Sequence, residues 1–98
     1  MSVFDYQQID EIIHSRIRLA IMAALIATEE VEFTVLRGLT KATDGNLSAN
    51  LKKLEEAGYI NVKKEFVNRK PVTSYSLTSD GKQAFAAYIE NLEKMIKK

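Results

Sequence analysis

Thr43-Asp44-Gly45-Asn46-Leu47-Ser48-Ala49-Asn50-Leu51-Lys52-Lys53-Leu54-Glu55-Glu56-Ala57-Gly58 decides how the rest of the chain is read. Leu47, Leu51 and Leu54 recur at i, i+4 and i+7, the spacing of one apolar stripe on a helix. The opposite flank carries Gly45, Asn46, Ala49, Lys52 and Lys53, which are small, amide-bearing or basic. Thr43 is suited to cap the N-terminus, and Asp44 falls in the first turn, where the helix dipole favours negative charge. Gly58 follows the last periodic leucine, where glycine accepts the left-handed conformation that ends a helix. The stretch predicts a short helix with one face anchored in a core and the other offering hydrogen bonds.

After Gly58 the period changes from helical to alternating. Ile60, Val62 and Phe66 point one way and Tyr59, Asn61, Lys63 and Glu65 the other, the pattern of a half-buried strand. Val67-Asn68-Arg69-Lys70-Pro71 reads as the turn, and Val72 to Leu77 as the returning strand, with Tyr75 and Leu77 inward. Pro71 is tolerated at a strand's first position but not in its hydrogen-bonded middle. Thr78 then caps a last helix that begins Ser79-Asp80 and runs to about Lys97. Phe85, Tyr88, Leu92 and Met95 repeat along it at the a/d spacing of a heptad, flanked by Ile89 and Ile96.

Before the quoted stretch, Thr34 is expected to cap a short helix ending near Lys41, with Val35, Leu36 and Leu39 inward. Gly38 weakens that helix by about 1 kcal/mol relative to alanine, so tertiary contacts must hold it. Val31-Glu32-Phe33 has the length of a very short strand. From Ile9 to about Ala27 the pattern is again helical. Ile9, Ile13, Ile17, Ala20, Ile21, Ala24 and Leu25 form a broad apolar face that Ile12, Leu19, Met22 and Ile26 widen further. A helix apolar over so much of its circumference is buried on more than one side, by a central position or a subunit contact. Residues 1–8 form a lead-in whose Val3, Phe4 and Tyr6 can pack on a neighbour.

Ninety-eight residues suit a single domain spanning 1–98, with a modest core. The fold class is mainly α with a small β-hairpin. Two short helices joined by a tight turn, the second better formed, make a helix-turn-helix. The whole reads as a three-helix core, a two-stranded wing and a long C-terminal helix. No apolar run is long enough to span a bilayer and no leader pattern is present, so a cytoplasmic protein is expected. The lack of cysteine excludes disulfides and thiolate metal sites. Net charge is only +1, yet it is unevenly spread. Residues 1–32 hold six acidic residues against two basic ones, whereas residues 41–70 hold seven basic against four acidic. Positive charge thus gathers where the polar-flanked helix lies.

These motifs resemble a known family. Thr43 to Ser48, Leu51 to Ile60, and Lys70-Pro71-Val72-Thr73-Ser74-Tyr75-Ser76-Leu77-Thr78, followed by Gly81 and Phe85, are together similar to small winged helix-turn-helix regulators of the MarR and ArsR kind. The resemblance covers roughly residues 9 to 97. It implies a homodimeric, DNA-binding transcriptional regulator, with the third helix in the major groove of a pseudo-palindromic duplex and the wing at the adjacent backbone or minor groove. On that resemblance the groove-facing positions are Asn46, Ala49, Asn50 and Lys53, and the wing-tip positions are Asn68, Arg69 and Lys70. Three residues depart from the family pattern. Asn50 stands where relatives commonly have histidine, Lys41 where a glycine commonly ends the second helix, and Ala42 where a larger apolar residue is usual.

The chemistry of these side chains agrees with such a role. Asparagine pairs bidentately with adenine, and lysine reaches guanine acceptors or phosphate, so Asn46, Asn50 and Lys53 are candidate base readers. Ser48 and Lys52 suit phosphate, with Thr43 and Gly45 at the helix entrance. Glu55 and Glu56 would repel phosphate, which favours entry into the groove N-terminus first. The plain alternative is an amphipathic helix with a solvated face and a hairpin tip charged for solubility. Ile13, Ile17, Phe85, Tyr88, Leu92 and Met95 are the candidate dimer contacts, against simple burial within one domain.

Asp10, Glu11 and His14 lie one helical turn apart, but a solvated helix surface is favoured over a metal site. No cofactor is expected, and no residue argues for a small-molecule effector. Catalysis lacks any nucleophile motif or glycine-rich phosphate loop. The competing functional class is a winged helix used only for protein association, for which the near-neutral charge is the argument.

Overall fold

Leu47, Leu51 and Leu54 are 0%, 3% and 0% exposed and lock the quoted helix onto the core. The computed structural model describes residues 6–96; Val3, Phe4 and the Lys97 end of the last helix lie outside them. The order is a 3-10 turn at Tyr6–Gln8, α1 (Arg16–Ala27), β1 (Val31–Glu32), α2 (Phe33–Thr40), α3 (Asp44–Glu56), β2 (Ile60–Val67), β3 (Lys70–Leu77) and α4 (Ser79–Ile96). The three leucines of α3 meet Ile21, Met22 and Leu25 of α1, Leu36 of α2, and Ile60, Tyr75 and Leu77 of the sheet in one cluster.

Both ends of α3 form as their residues dictate. The Thr43 hydroxyl accepts from the Asn46 amide at 3.1 Å, satisfying one of the unpaired N–H groups of the first turn. At the other end Gly58 adopts φ +80°. Its amide donates to the Glu55 carbonyl at 2.9 Å, while the Tyr59 amide reaches back to Leu54 at 3.0 Å. This is the two-bond Schellman closure, and it turns the chain directly into β2.

Three expectations are corrected. The first helix starts at Arg16, not near Ile9. One Asp10 carboxylate oxygen accepts from the Ile12 and Ile13 amides at 2.8 and 3.2 Å, holding a side-chain turn instead of a helical one. Ser15, with extended backbone, then caps α1. Of the three α2 residues expected inward only Leu36 is buried; Val35 and Leu39 are 50% and 62% exposed. Phe33 is partly buried against the same core, which so short a helix touches along one narrow line. That helix begins at Phe33 after Glu32, so Thr34 is within it and not its cap.

The sheet has three antiparallel strands in the order β1-β3-β2, the short strand read at Val31-Glu32-Phe33 joining the two of the wing, and the third correction lies in the hairpin. Val31 and Glu32 pair with Tyr75 and Ser74, covering only the base of β3. The hairpin turn is tighter than Val67–Pro71. Val67 pairs with Lys70, leaving a two-residue loop of Asn68 and Arg69. Both loop residues have positive φ, 52° and 67°, as a type I′ turn demands. Ile60 is buried, but Phe66 is 78% exposed because the strands run past the end of the core.

Thr78 joins the end of α3 to the start of α4. Its hydroxyl donates to the Gly58 carbonyl at 2.7 Å and accepts from the Gly81 amide at 2.9 Å, so it caps α4 as expected. The contact leaves no room at Gly81. A Cβ there would lie 2.1 Å from the Tyr59 carbonyl oxygen, so only glycine fits.

Candidate nucleic-acid interface

The outward flank of α3 presents Gly45, Asn46, Ser48, Ala49, Lys52 and Lys53 together, all exposed. Thr43 lies at its entrance and is exposed as well. The Asn46, Ser48, Lys52 and Lys53 side chains make no hydrogen bond or ion pair among the described residues. Donors and acceptors of a size to meet base edges and phosphates therefore stand ready in water. Glu55 and Glu56 are exposed at the far end of the same helix.

Asn50 differs from its neighbours. It is half-buried, and its Oδ1 accepts from the Arg18 guanidinium of α1 at 2.6 Å. Its Nδ2 donates to the Asn46 carbonyl at 2.7 Å. Arg18 also donates through Nε to the Ile12 carbonyl. Arg18 is a site neighbour that the sequence reading missed. The available signal was a charged residue inside an otherwise apolar run from Ile17 to Ile26.

At the entrance to α3, Arg37 of α2 pairs with Asp44 at 3.0 Å. With both side chains about half exposed or more, the pair contributes little to stability. On the wing, Asn68, Arg69 and Lys70 are all exposed at the tip. Lys63 is engaged, lying 3.6 Å from Glu30 and 3.8 Å from Glu65. Lys64, Arg69 and Lys70 make no ion pair among the described residues.

The residues expected at a subunit contact divide into two groups. Ile13 and Tyr88 are 0% and 3% exposed within the single chain, so their surface is already used by its own core. Ile17, Phe85 and Leu92 are only partly covered. Met95 is exposed, beside Ile89 and Ile96 on the same helix. The outer half of α4 therefore carries an apolar surface that the chain itself does not cover.

Asp10 and His14 have structural partners instead of lying on a solvated helix. Asp10 accepts from the Tyr59 hydroxyl, and His14 Nδ1 lies 2.8 Å from the Tyr88 hydroxyl. Burial first, and then the bond to the Asp10 carboxylate, push the Tyr59 hydroxyl up to about 12. Tyr88 is raised by burial and by Asp10, and Tyr75 by burial and by Glu55. Among the described residues no group of three His, Cys, Asp or Glu side chains is placed to hold a metal ion. No described helix is long and apolar enough to cross a membrane.

Comparison with known proteins agrees with this geometry. The chain is 37% identical over 87 residues to the uncharacterized protein MJ0432 of Methanocaldococcus jannaschii, covering 89% of this chain and 95% of that protein. Its structure is similar to that of a transcriptional regulator homologue from Pyrococcus horikoshii OT3, with a TM-score of 0.82 and 25% identity over 89% of this chain and 86% of the other. It also shares its fold with Bacillus subtilis PadR, solved in complex with operator DNA. That likeness has a TM-score of 0.63 and 23% identity, and covers 71% of this chain and 45% of PadR. Residues 17–96, from α1 through the wing to the end of α4, match the family described as the winged helix DNA-binding domain, and the chain belongs to that family.

Proposed function

We propose that this chain is a transcriptional regulator that binds a pseudo-palindromic duplex site as a homodimer, with α3 in the major groove. The observation that carries the reading is the polar flank of α3, left without protein partners while three buried leucines fix its direction. Lys53 and Asn46 read base edges, Ser48 and Lys52 bond phosphates, and the wing tip contacts the backbone through Arg69 and Lys70. The helix enters N-terminus first, which leaves Glu55 and Glu56 outside the groove. Bacillus subtilis PadR, a protein of the same fold, was solved in complex with operator DNA, which supports DNA as the partner.

The outer half of α4 supplies the dimer contact, through Phe85, Ile89, Leu92 and Met95 with Ile17 of α1. A two-fold axis then sets the reading helices on half-sites about 34 Å apart, one turn of duplex. On this reading the protein works in the cytoplasm. The test is a titration of the intact chain on random-sequence duplex at low salt, followed by selection of bound duplexes from a random pool. Micromolar non-specific binding and a selected inverted repeat are expected. A chain that fails to shift duplex at micromolar concentration, or that stays a lone subunit in light scattering, would overturn the proposal.

A further inference from the structure

Two large apolar side chains of the wing are exposed, Val67 at 45% and, far more so, Phe66. Phe66 is 78% exposed, and from Thr73 to the turn β3 pairs only with β2, since β1 reaches no further than Ser74. The tip is therefore a two-stranded ribbon. Phe66 stands directly across from Pro71. By the two-residue alternation of strands it shares a face with Lys64, Val62 and Ile60. Ile60 belongs to the core with Leu54 of α3, so Phe66 projects from the sheet face on which the helices pack, past their end.

Charge on that face has one sign. Glu65 is the only acid between Ile60 and Leu77, and it lies on the opposite face beside Lys63. Lys64 shares the ring's face and Arg69 stands at the adjoining turn, with Lys70 next to it on the other face, across from Val67. None of the three is ion-paired among the described residues. An apolar ring backed by proline and rimmed by free cations complements a polyanion that also offers an apolar surface. Duplex DNA does so in its minor groove, where sugar edges and base steps accept inserted phenylalanine or proline.

We propose that Phe66, backed by Pro71, is an apolar wedge that enters the minor groove beside the half-site contacted by α3. This rests on the proposed DNA-binding function and adds to it a contact that is not electrostatic. Because a wedge releases no counterions, its loss lowers affinity without changing the salt dependence, unlike the loss of a phosphate-binding cation.

The experiment compares the intact chain with Phe66→Thr, which keeps strand propensity, and Phe66→Leu, which keeps apolar bulk, on random-sequence duplex across a salt series. Phe66→Thr is expected to bind roughly ten-fold more weakly with an unchanged salt slope, and Phe66→Leu to recover much of the loss. Equal binding by all three overturns the wedge alone, whereas failure of the parent chain to bind overturns the DNA-binding reading with it. The chain contains no tryptophan, so Phe66→Trp supplies a single fluorescent reporter. Its emission should be quenched by duplex, and the quenching relieved by a minor-groove ligand such as netropsin. A response to vesicles of phosphatidylcholine with phosphatidylserine, and none to duplex, would assign the ring to an anionic lipid surface and overturn the proposal.

Discussion

Arg18 of α1 and Asn50 of α3 are joined by a 2.6 Å hydrogen bond that ties the helix carrying the polar flank to the central helix of the core. The same guanidinium holds the Ile12 carbonyl, so one side chain fixes both α3 and the turn that precedes α1. Arg18→Ala leaves two partly buried acceptors without a donor. We expect a loss of about 1–3 kcal/mol, read as a lower urea midpoint at unchanged slope. Arg18→Lys should not restore it, because one ammonium cannot reproduce the planar fork that serves two acceptors.

That contact also separates the two asparagines of α3. Asn50 uses both ends of its amide inside the fold, whereas Asn46 uses neither end of its side chain. Asn46→Ala and Lys53→Ala should therefore relax base preference in duplex selection with little change in melting temperature. Asn50→Ala should lower the melting temperature first. A result in which Asn50→Ala alone changes the selected sequence would mean that DNA draws the amide away from Arg18.

Two backbone positions predict opposite signs. Lys41 ends α2 in the left-handed region at φ 56°, where its side chain is strained. Lys41→Gly should raise stability by up to about 1 kcal/mol, since glycine adopts that conformation without steric cost. Gly81→Ala should cost at least about 1–3 kcal/mol, because the added carbon meets the rigid Tyr59 carbonyl. Thermal unfolding of the two variants side by side tests both.

Much of this architecture was legible because it is local. The leucine spacing of α3, its Thr43 cap and its Gly58 terminus all act within one or two turns of chain, and each formed as read. The exceptions share a physical cause. Ile9, Ile12 and Ile13 fit a helical period, yet Asp10 bends that segment into a turn from which Ile13 still fills the core. Val35, Leu39 and Phe66 have the right period for burial, but period does not reveal where the core ends. Arg18 and Asn50 are 32 residues apart, so no local pattern links them. The same distance effect hides Tyr59 from Asp10 and Tyr88 from His14.

Alkaline pH should unfold the protein through Tyr59. Its hydroxyl is raised from 10.0 to about 12, so the folded state holds that proton more tightly than the unfolded chain. The resulting stability is complete below pH 10 and is lost as pH rises toward 12. Tyr75 and Tyr88, raised in the same direction, add to the decline. Tyr59→Phe should lower stability near neutral pH and make its fall across this window shallower. Urea midpoints at successive pH values, with tyrosinate absorbance as the second readout, check the sign.

The wing tip allows charge and fold to be tested apart. Arg69 sits at φ 67°, in a turn position that glycine fills more easily. Arg69→Gly removes the cation while relaxing the hairpin, so weaker DNA binding by this variant cannot be ascribed to a damaged wing. Lys70 lies in the strand next to the turn, and Lys70→Gln leaves that backbone alone. If each cation neutralises one phosphate, each variant should lower the slope of log affinity against log salt by about one unit, on every sequence alike. Arg69→Gly should at the same time melt at or above the temperature of the parent chain. An unchanged slope in both variants would mean that the basic tip faces water in the complex, and the wing would then have to approach the duplex by another edge.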